Sequence, residues 1–322
     1  MKSAMTRRAL LRGSAGVLLT TELGFAKASQ PATKVNFAVP AGACDCHTHI
    51  IGDPAKFPFA PNRIYTPETA SPKEMAALHR ALHIQRVVIV TPSFYGTDNS
   101  ATLYGMRARG RNARGVAVIG EKTSASDLRA MDRAGFRGIR LNLATAGQND
   151  PAVARRLFES SIERIRSLNW HIQIFATLPV IAGMKDLVAS APVPVVFDHF
   201  GGAHAALGLG QPGWADLADL VRSGKAYVKI SAAYRVSAQP GDYSDVIPLA
   251  RALVEANPER VLWGTDWPHP DSTLVAGRAP TNITPLLQID DGLLLNQLAV
   301  WVPDAGVRKK ILVENPARVY GF

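Results

Sequence analysis

Runs of apolar, β-branched residues recur along the chain, and the stretches between them are long enough for a helix each. Eight such runs are mostly continuous rather than alternating, which is typical of strands in a parallel sheet covered on both faces. The pattern predicts strands over residues 42–50, 86–93, 113–119, 138–143, 171–176, 194–200, 227–232 and 261–267.

The segments between the strands carry helix signals. One opens with Ser71, a favourable N-cap, followed by Pro72 at the first helical position, and another ends on Gly135, which suits a helix C-terminus. The predicted helices cover residues 71–83, 124–135, 150–169, 244–258 and 305–320. Eight strand–helix units in about 290 residues predict a single (β/α)8 TIM-barrel domain. The alternative is an open doubly wound sheet, but the Gly-rich phosphate turn typical of that fold does not follow the first strand.

The N-terminus has the composition of an export signal. Arg7 and Arg8 precede an apolar run, and Ala26 and Ala28 place small residues where signal peptidase cuts. This order predicts a twin-arginine signal peptide over residues 1–28. The alternative is an uncleaved amphipathic helix.

Cleavage after Ala28 would leave an N-terminal extension over 29–41 and the barrel domain over 42–322. We therefore expect a periplasmic protein that uses the twin-arginine export machinery. A later run of about 20 apolar residues is missing, so we expect no stable membrane anchor.

Composition narrows the functional classes. Hydrophobic residues make up 47% and charged residues 19% of the chain, as in a globular protein. The net charge is +10, and after removal of residues 1–28 the chain keeps 31 basic and 25 acidic residues. The basic residues are scattered, which argues against nucleic acid as a partner. A mild positive excess is compatible with a small anionic substrate.

The segment CDCHTHI at 44–50 carries the most specific candidate chemistry. Residues two apart in a strand share a face, so we expect Asp45, His47 and His49 to point into the barrel lumen. Cys44 and Cys46 are then expected on the opposite face as small buried residues, and their spacing excludes a disulfide framework. Two histidines in the core are the alternative reading of this segment.

Polar side chains collect at the ends of the other strands as well. These candidates are Ser93, Arg140, Gln173, His199, Arg235, Asp266 and His269. Core packing does not require this coincidence, whereas a catalytic rim at the C-terminal face of a barrel does. His171 begins its strand, at the opposite end, and is assigned no catalytic role.

These residues lie in motifs that resemble a known family. The segments DCHTHI, FPFAPNRIYTP, GFRGIRLNL, DHFG and RVLWGTDWPHP are similar to the amidohydrolase superfamily, in its amidohydrolase-2 branch. Within that branch they are most similar to the 2-pyrone-4,6-dicarboxylate lactonase group. The resemblance runs from about residue 42 to the C-terminus. It implies a (β/α)8 enzyme that opens lactones of sugar acids or of dicarboxylic acids from aromatic-ring cleavage.

The resemblance also implies roles for individual residues. Asp266 matches the catalytic base, and His47, His49 and His199 match the histidines of the site. Arg140 and Arg235 match arginines that bind substrate carboxylates, with Tyr65, Ser93, Gln173 and His269 as further substrate-binding candidates. Phe175 stands where the pyrone lactonases carry a tyrosine, so we do not expect the same substrate.

The sequence is compatible with two possibilities: no bound metal ion, or one. Two-metal members of the superfamily use a lysine on strand 4 and a histidine on strand 5, where this chain has Arg140 and Gln173. One zinc or manganese ion on His47, His49 and Asp266 is feasible by ligand type, with His199 as a further ligand. The pyrone lactonases work without metal, and protein groups alone could polarise a lactone carbonyl.

Together these features predict a hydrolase that opens a small carboxylated lactone by attack of a base-activated water. The enzyme alternatives are a metal-dependent non-oxidative decarboxylase of the same branch and a lactone isomerase. A binding protein that has lost catalysis is a further alternative. It has no need for the combination of His47, His49 and Asp266.

Overall fold

The computed structural model describes residues 28–239, 241–273 and 275–322. The predicted signal motif at Arg7 and Arg8 lies outside the described residues. Within the described ranges, no helix combines the length and apolarity needed to cross a membrane.

Eight parallel strands form one sheet in which each strand pairs with the next along the chain. They are β1 (Cys44–Thr48), β2 (Arg86–Val90), β3 (Ala113–Ala117), β4 (Phe136–Asn142), β5 (His171–Phe175), β6 (Val195–Phe197), β7 (Ala226–Ser231) and β8 (Val261–Gly264). All eight predicted strands are confirmed. Strand β6 is shorter than expected because the backbone leaves the extended conformation after Asp198.

The sheet closes between its first and last strands. Thr48 forms a parallel bridge with Trp267, and the His49 amide donates to the Trp267 carbonyl at 2.8 Å. The Asp266 amide donates to the His47 carbonyl, also at 2.8 Å. The fold is therefore a single-domain TIM barrel, and this seam places the DCHTHI and GTDW segments side by side.

Helices cover the outside of the barrel. They are α1 (Pro72–Ala81), α2 (Ser100–Arg109), α3 (Ala125–Ala134), α4 (Pro151–Ile165), α5 (Leu178–Ala182), α6 (Lys185–Ser190), α7 (Trp214–Arg222), α8 (Ala233–Val236), α9 (Ile247–Ala256), α10 (Asp291–Trp301), α11 (Ala305–Lys309) and α12 (Asn315–Tyr320). Two short strands, Thr66–Pro67 and Ile283–Thr284, pair in loops outside the barrel.

The helix ends follow the predicted cap chemistry. Ser71 and Glu74 form a capping box at the start of α1, which satisfies backbone N–H groups that have no partner within the helix. Gly135 ends α3 with a φ of 100°, a left-handed conformation that costs glycine little. The predicted last helix is instead two helices, α11 and α12, joined by a wider π-helical turn at Lys310–Glu314.

Two apolar layers alternate along the strands. Val87 and Ile89 of β2 pack outward in the same cluster as Met75 and Leu78 of α1. The intervening Val88 belongs to a second cluster, which gathers residues from several strands and therefore fills the lumen. The members of this lower lumen layer are Cys44, Cys46, Val88, Val90, Val116, Val196, Tyr227, Leu262, Val319 and Tyr320.

The first strand contains a bulge that corrects its predicted side-chain alternation. Asp45 pairs with Val87 and Thr48 with Ile89, so three steps along β1 match two along β2. Asp45 consequently does not join the lumen histidines. Its carboxylate lies 3.3 Å from Nε2 of His79 on α1 and accepts from the amide and hydroxyl of Thr265. The two cysteines, predicted on the opposite face from the histidines, belong to the lumen layer below them.

The N-terminal extension contacts residues from the C-terminal part of the chain. Thr33 donates its amide and hydroxyl to Asp290, the N-cap of α10, and the Asn36 amide donates to Asn296 within that helix. The Trp267 indole donates to the Ser29 carbonyl at 3.0 Å. The extension therefore packs beside the barrel seam.

Candidate active site

The C-terminal strand ends turn sharply where the candidate residues lie. His199 follows β6 with a φ of 46°, Ala232 follows β7 at 53°, and Asp266 follows β8 at 70°. Non-glycine residues in this region cost on the order of 1–3 kcal/mol each and are concentrated at functional sites. The turns place the side chains of His199 and Asp266 over the lumen.

Three imidazoles surround one oxygen of Asp266. Oδ1 lies 3.3 Å from Nε2 of His49, 3.6 Å from Nε2 of His47 and 3.7 Å from Nε2 of His199. All four side chains are buried. The prediction that they meet at one point agrees with this geometry.

The other ring nitrogens determine what these Nε2 atoms offer. His49 Nδ1 lies 2.7 Å from the Val90 carbonyl, and His47 Nδ1 lies 3.1 Å from Asp198. Both oxygens are acceptors, so each Nδ1 carries the proton and each Nε2 presents a lone pair. Lys229 Nζ also lies 3.3 Å from Nδ1 of His47, on the side of Asp198. His199 Nδ1 contacts the Ser231 hydroxyl at 2.9 Å. Lone pairs from His47 and His49 therefore point towards the Asp266 oxygen, an arrangement that calls for a cation or a proton between them.

A buried ionic network lies beneath the histidines. Asp198 Oδ1 is shared by His47 and by Lys229 Nζ at 3.2 Å, and Oδ2 accepts from Arg140 Nε and Gln173 Nε2, both at 2.9 Å. Lys229 also donates to Gln173 Oε1 at 2.6 Å. Asp198 and Lys229 are fully buried. The network fixes the His47 ring from below.

Burial and charge set the protonation states. Burial alone would raise the pKa of Asp198, but Lys229, His47 and Arg140 outweigh it and hold that pKa well below its usual range. Burial lowers the pKa of His47 well below its ordinary value, and it lowers that of His199 to about 4. Both imidazoles are therefore neutral at neutral pH, and His47 keeps its Nε2 lone pair.

The second carboxylate oxygen of Asp266 already accepts two hydrogen bonds. Oδ2 accepts from the Tyr234 hydroxyl at 2.7 Å and from Arg235 Nε at 2.8 Å. Burial would raise the pKa of Asp266, but the neighbouring Arg235 guanidinium holds it well below its usual range. Asp266 is thus ionised, and Oδ1 is its reactive oxygen.

The two arginines predicted to bind carboxylates differ. Arg235 donates from Nη2 to the Pro270 carbonyl and from Nη1 to the Ser272 hydroxyl, in addition to its bond with Asp266. It therefore serves to hold Asp266. Arg140 uses only Nε, and its guanidinium lies 5.2 Å from the Phe175 ring centroid. Its terminal nitrogens have no hydrogen-bond partner within the described ranges and are available to an anion.

These groups line a small cavity. Its volume is about 20 Å³, roughly the space of one water. The sequence-predicted residues that line it are Tyr65, Ser93, Arg140, Arg235, His49, His199 and Asp266. Burial raises the pKa of Tyr65, so its hydroxyl stays protonated and can donate.

Two predicted substrate-binding residues do not line the cavity. Gln173 is buried in the network with Asp198 and Lys229. His269 is buried and contacts Asp291 through Nε2 at 3.0 Å. Their positions support a structural role instead.

The donor set fits one divalent metal ion. Zinc binds imidazole nitrogen and carboxylate oxygen at about 2.0–2.2 Å, so tetrahedral ligand atoms lie about 3.3 Å apart. Atoms of His47, His49 and Asp266 lie at comparable separations, and the buried Nε2 of His47 has no hydrogen-bond partner. His199 Nε2 lies 3.7 Å from the same Asp266 oxygen but groups instead with His47 and Asp198 as a potential ligand set. Strands β4 and β5 contribute Arg140 and Gln173 here, which cannot hold a second metal ion as lysine and histidine can.

Sequence reasoning missed three members of the site: Asp198, Lys229 and Tyr234. Lys229 had the clearest signal, since a lysine within the apolar run of β7 must find a buried partner. Asp198 precedes His199 in the DHFG motif that was already singled out. Tyr234 offered no comparable signal, because an aromatic residue in a short helix after a strand is commonplace.

Comparison with known proteins agrees with this geometry. Residues 44–322 match the amidohydrolase family. The chain is 36% identical to a 4-sulfomuconolactone hydrolase of Rhizobium radiobacter, over 89% of this chain and 92% of the relative. It is 35% identical to a 2-pyrone-4,6-dicarboxylate hydrolase of Comamonas testosteroni, over 89% and 93%.

A crystal structure of an apo protein from Agrobacterium tumefaciens superposes with a TM-score of 0.76 at 25% identity, covering 89% of this chain and 98% of that one. The barrel, the histidine cluster around Asp266 and these similarities agree, and the chain is a member of the amidohydrolase family.

Proposed function

We propose that the protein hydrolyses a small lactone that carries a carboxylate. The observation that carries the proposal is one ionised carboxylate oxygen, on Asp266, next to the uncommitted guanidinium nitrogens of Arg140 in one cavity. The site thus offers a proton acceptor beside an anion-binding group. The hydrolases of Rhizobium radiobacter and Comamonas testosteroni, whose names specify lactone-type substrates, support the same reading.

The reaction needs a proton acceptor, an orienting group and a proton donor. Asp266 Oδ1 accepts a proton from water while the water oxygen bonds to the lactone carbonyl carbon. The ring C–O bond then breaks, and Asp266 returns the proton to the departing ring oxygen. Tyr234 and Arg235 hold the carboxylate in place throughout.

Arg140 orients the substrate by a charge-assisted pair with its carboxylate. Tyr65 and Ser93 line the same cavity and can donate hydrogen bonds to substrate oxygens.

We further propose that His47, His49 and Asp266 hold one zinc or manganese ion. Such an ion supplies Lewis-acid polarisation of the carbonyl. The chemistry of the donors favours it, since Nε2 lone pairs cannot donate a hydrogen bond to a developing oxyanion.

A lactone panel combined with metal analysis tests both proposals. Hydrolysis releases one acid equivalent, whereas isomerisation releases none and decarboxylation releases CO2. We expect acid release from carboxylated lactones and about one metal ion per chain. His49→Gln should lower metal content, whereas His171→Gln, at the other end of the barrel, should not. Full lactone turnover by protein with less than about a tenth of an equivalent of metal would refute the metal assignment.

We also propose export to the periplasm by the twin-arginine route, based on Arg7, Arg8 and the small residues before Ser29. Replacing both arginines by lysine should retain the precursor in the cytoplasm, as fractionation and immunoblotting would show. Normal periplasmic delivery of that variant would exclude the route.

A further inference from the structure

The central cavity is too small to hold a whole substrate. Its volume of about 20 Å³ accommodates little more than one water. Two larger cavities share lining residues with it and are its neighbours, here called the polar arm and the apolar arm. A bound lactone needs more room than the central cavity gives, and these two arms are the neighbouring spaces that can supply it.

The two arms differ in chemistry. The polar arm, about 240 Å³ in volume, shares Ser93 and Thr145 with the central cavity and includes Arg63 and Asn142. The buried Oδ1 of Asn142 has no hydrogen-bond partner.

The apolar arm, about 150 Å³ in volume, shares Phe175, His199 and Arg235 with the central cavity. Its remaining walls are formed mainly by small apolar side chains, namely Ala144, Ala176, Ala203 and Val236. Thr177 and His204, which solvent reaches, are its polar side chains outside the mouth.

The apolar arm does not suit a charged group. Arg235, at its mouth, is committed to Asp266, Pro270 and Ser272. A carboxylate placed against the alanines and the valine would lose part of its hydration without gaining an ionic partner, which is unfavourable. A hydrocarbon group would instead gain contacts. An apolar cavity of about 150 Å³ is large enough to hold a benzene ring.

We propose that the substrate lactone carries an uncharged hydrocarbon substituent, up to about the size of a phenyl group, that occupies the apolar arm while Arg140 binds the carboxylate. The inference rests on the proposed lactone hydrolysis and narrows its substrate class. The selecting residues are Ala144, Ala176, Ala203 and Val236, whose small size keeps the arm open.

The test uses three γ-lactones that share one ring carboxylate and differ in a second substituent: hydrogen, phenyl or carboxylate. We expect kcat/KM of the wild type to be highest for the phenyl compound. Ala144→Leu narrows the arm at a half-buried position, where the fold tolerates a larger side chain. It should lower the phenyl-to-hydrogen ratio of kcat/KM on the order of 10- to 100-fold.

The matched control is Ala130→Leu, the same change at an exposed position of α3 that lines neither arm, which should keep that ratio within about twofold. Thermal unfolding checks that both variants are folded. Wild-type preference for the hydrogen or carboxylate compound, or an equal loss for all three substrates with Ala144→Leu, would overturn the proposal.

Calorimetric binding of the three ring-opened hydroxy acids separates this inference from the proposed function. Tighter binding of the phenyl acid, lost in Ala144→Leu and kept in Ala130→Leu, would support the arm even if none of the lactones were hydrolysed. Hydrolysis of the lactones with equal binding of the three acids would retain the proposed function and reject the arm.

Discussion

The lower and upper halves of the barrel lumen are built from opposite kinds of residue. The lower half contains cysteine, valine and leucine side chains above Tyr320, and the upper half contains a carboxylate–lysine network beneath three histidines. The boundary lies within β1, where the bulge separates Cys46 from His47. In this barrel the apolar layer stabilises the fold, and the strand ends above it are free to carry charged groups.

Asp266→Asn should have the largest effect on the upper half. The amide keeps a carbonyl for Tyr234 and Arg235 and turns an N–H2 group towards the imidazole lone pairs, so the fold is retained. It cannot accept a proton, and we expect kcat to fall about 10²- to 10⁴-fold with ligand binding largely kept. Steady-state kinetics, calorimetry and Tm on one preparation measure all three.

The matched control for that variant is Asp291→Asn, a buried carboxylate paired with His269 away from the cavity. It should lower Tm with little change in kcat of the folded enzyme. Near-normal turnover of Asp266→Asn would end the catalytic assignment.

Lys229→Met tests whether the upper network contributes to stability. The change leaves Asp198 buried without its lysine, and breaking a buried pair costs about 3–5 kcal/mol. Leu262→Ala in the lower layer should cost about 2–5 kcal/mol by creating a cavity. Urea unfolding gives both values. The two variants should differ in kcat/KM. Lys229→Met should lower it by changing the orientation of His47, whereas Leu262→Ala should leave it near the wild-type value. If both variants changed kcat/KM equally, the proposed difference in function between the upper half and the lower layer would be contradicted.

Substitutions of the two arginines of the upper half should change different kinetic parameters. Arg140→Met removes a contact with the substrate carboxylate, and we expect KM to rise about 10- to 100-fold. Arg235→Met frees Asp266, so kcat should fall more than KM rises. Identical changes in both variants would contradict the roles inferred from their bonds.

The smallest expected effect on activity concerns His171 at the lower end of β5, which bears on the pH dependence of stability. Burial, reinforced by Lys229, lowers its pKa to about 3, so the folded protein keeps it neutral. Between about pH 6.5 and pH 3 the unfolded chain binds one more proton at this position, and stability falls as the pH decreases. The slope from one such group is at most about 1.4 kcal/mol per pH unit. His171→Gln should flatten the pH dependence of unfolding, and an unchanged slope would contradict a buried neutral His171.

Sequence reasoning predicted the barrel well because strand and helix signals are local. Continuous apolar runs and capping residues such as Ser71 and Gly135 depend on neighbours in sequence. The same logic failed at β1, since a bulge in its pairing with β2 shifts the alternation, and the contacts that Asp45 makes lie far away in sequence. Asp45 accepts from Thr265 across 220 positions, a pairing that no local pattern contains.

The site was predicted by residue type but not by role. His47, His49, His199 and Asp266 converge as expected because they end parallel strands. Arg235 was assigned to substrate, although its bonds are made to Asp266 and neighbouring loop atoms. The hydrogen-bond partner of an arginine after a strand depends on the conformation of the segment that carries it. The periodicity of the strands does not predict that conformation.

The seam between β1 and β8 has a consequence for how the chain reaches its native state. Strand β1 can pair across the seam only after residues 261–267 have been synthesised, so the barrel closes at the end of synthesis. Until then one edge of β1 exposes unpaired amides and carbonyls, which is a template for association with other chains. Premature termination before Trp267 would leave that edge open permanently. We expect such fragments to aggregate rather than form a smaller stable barrel.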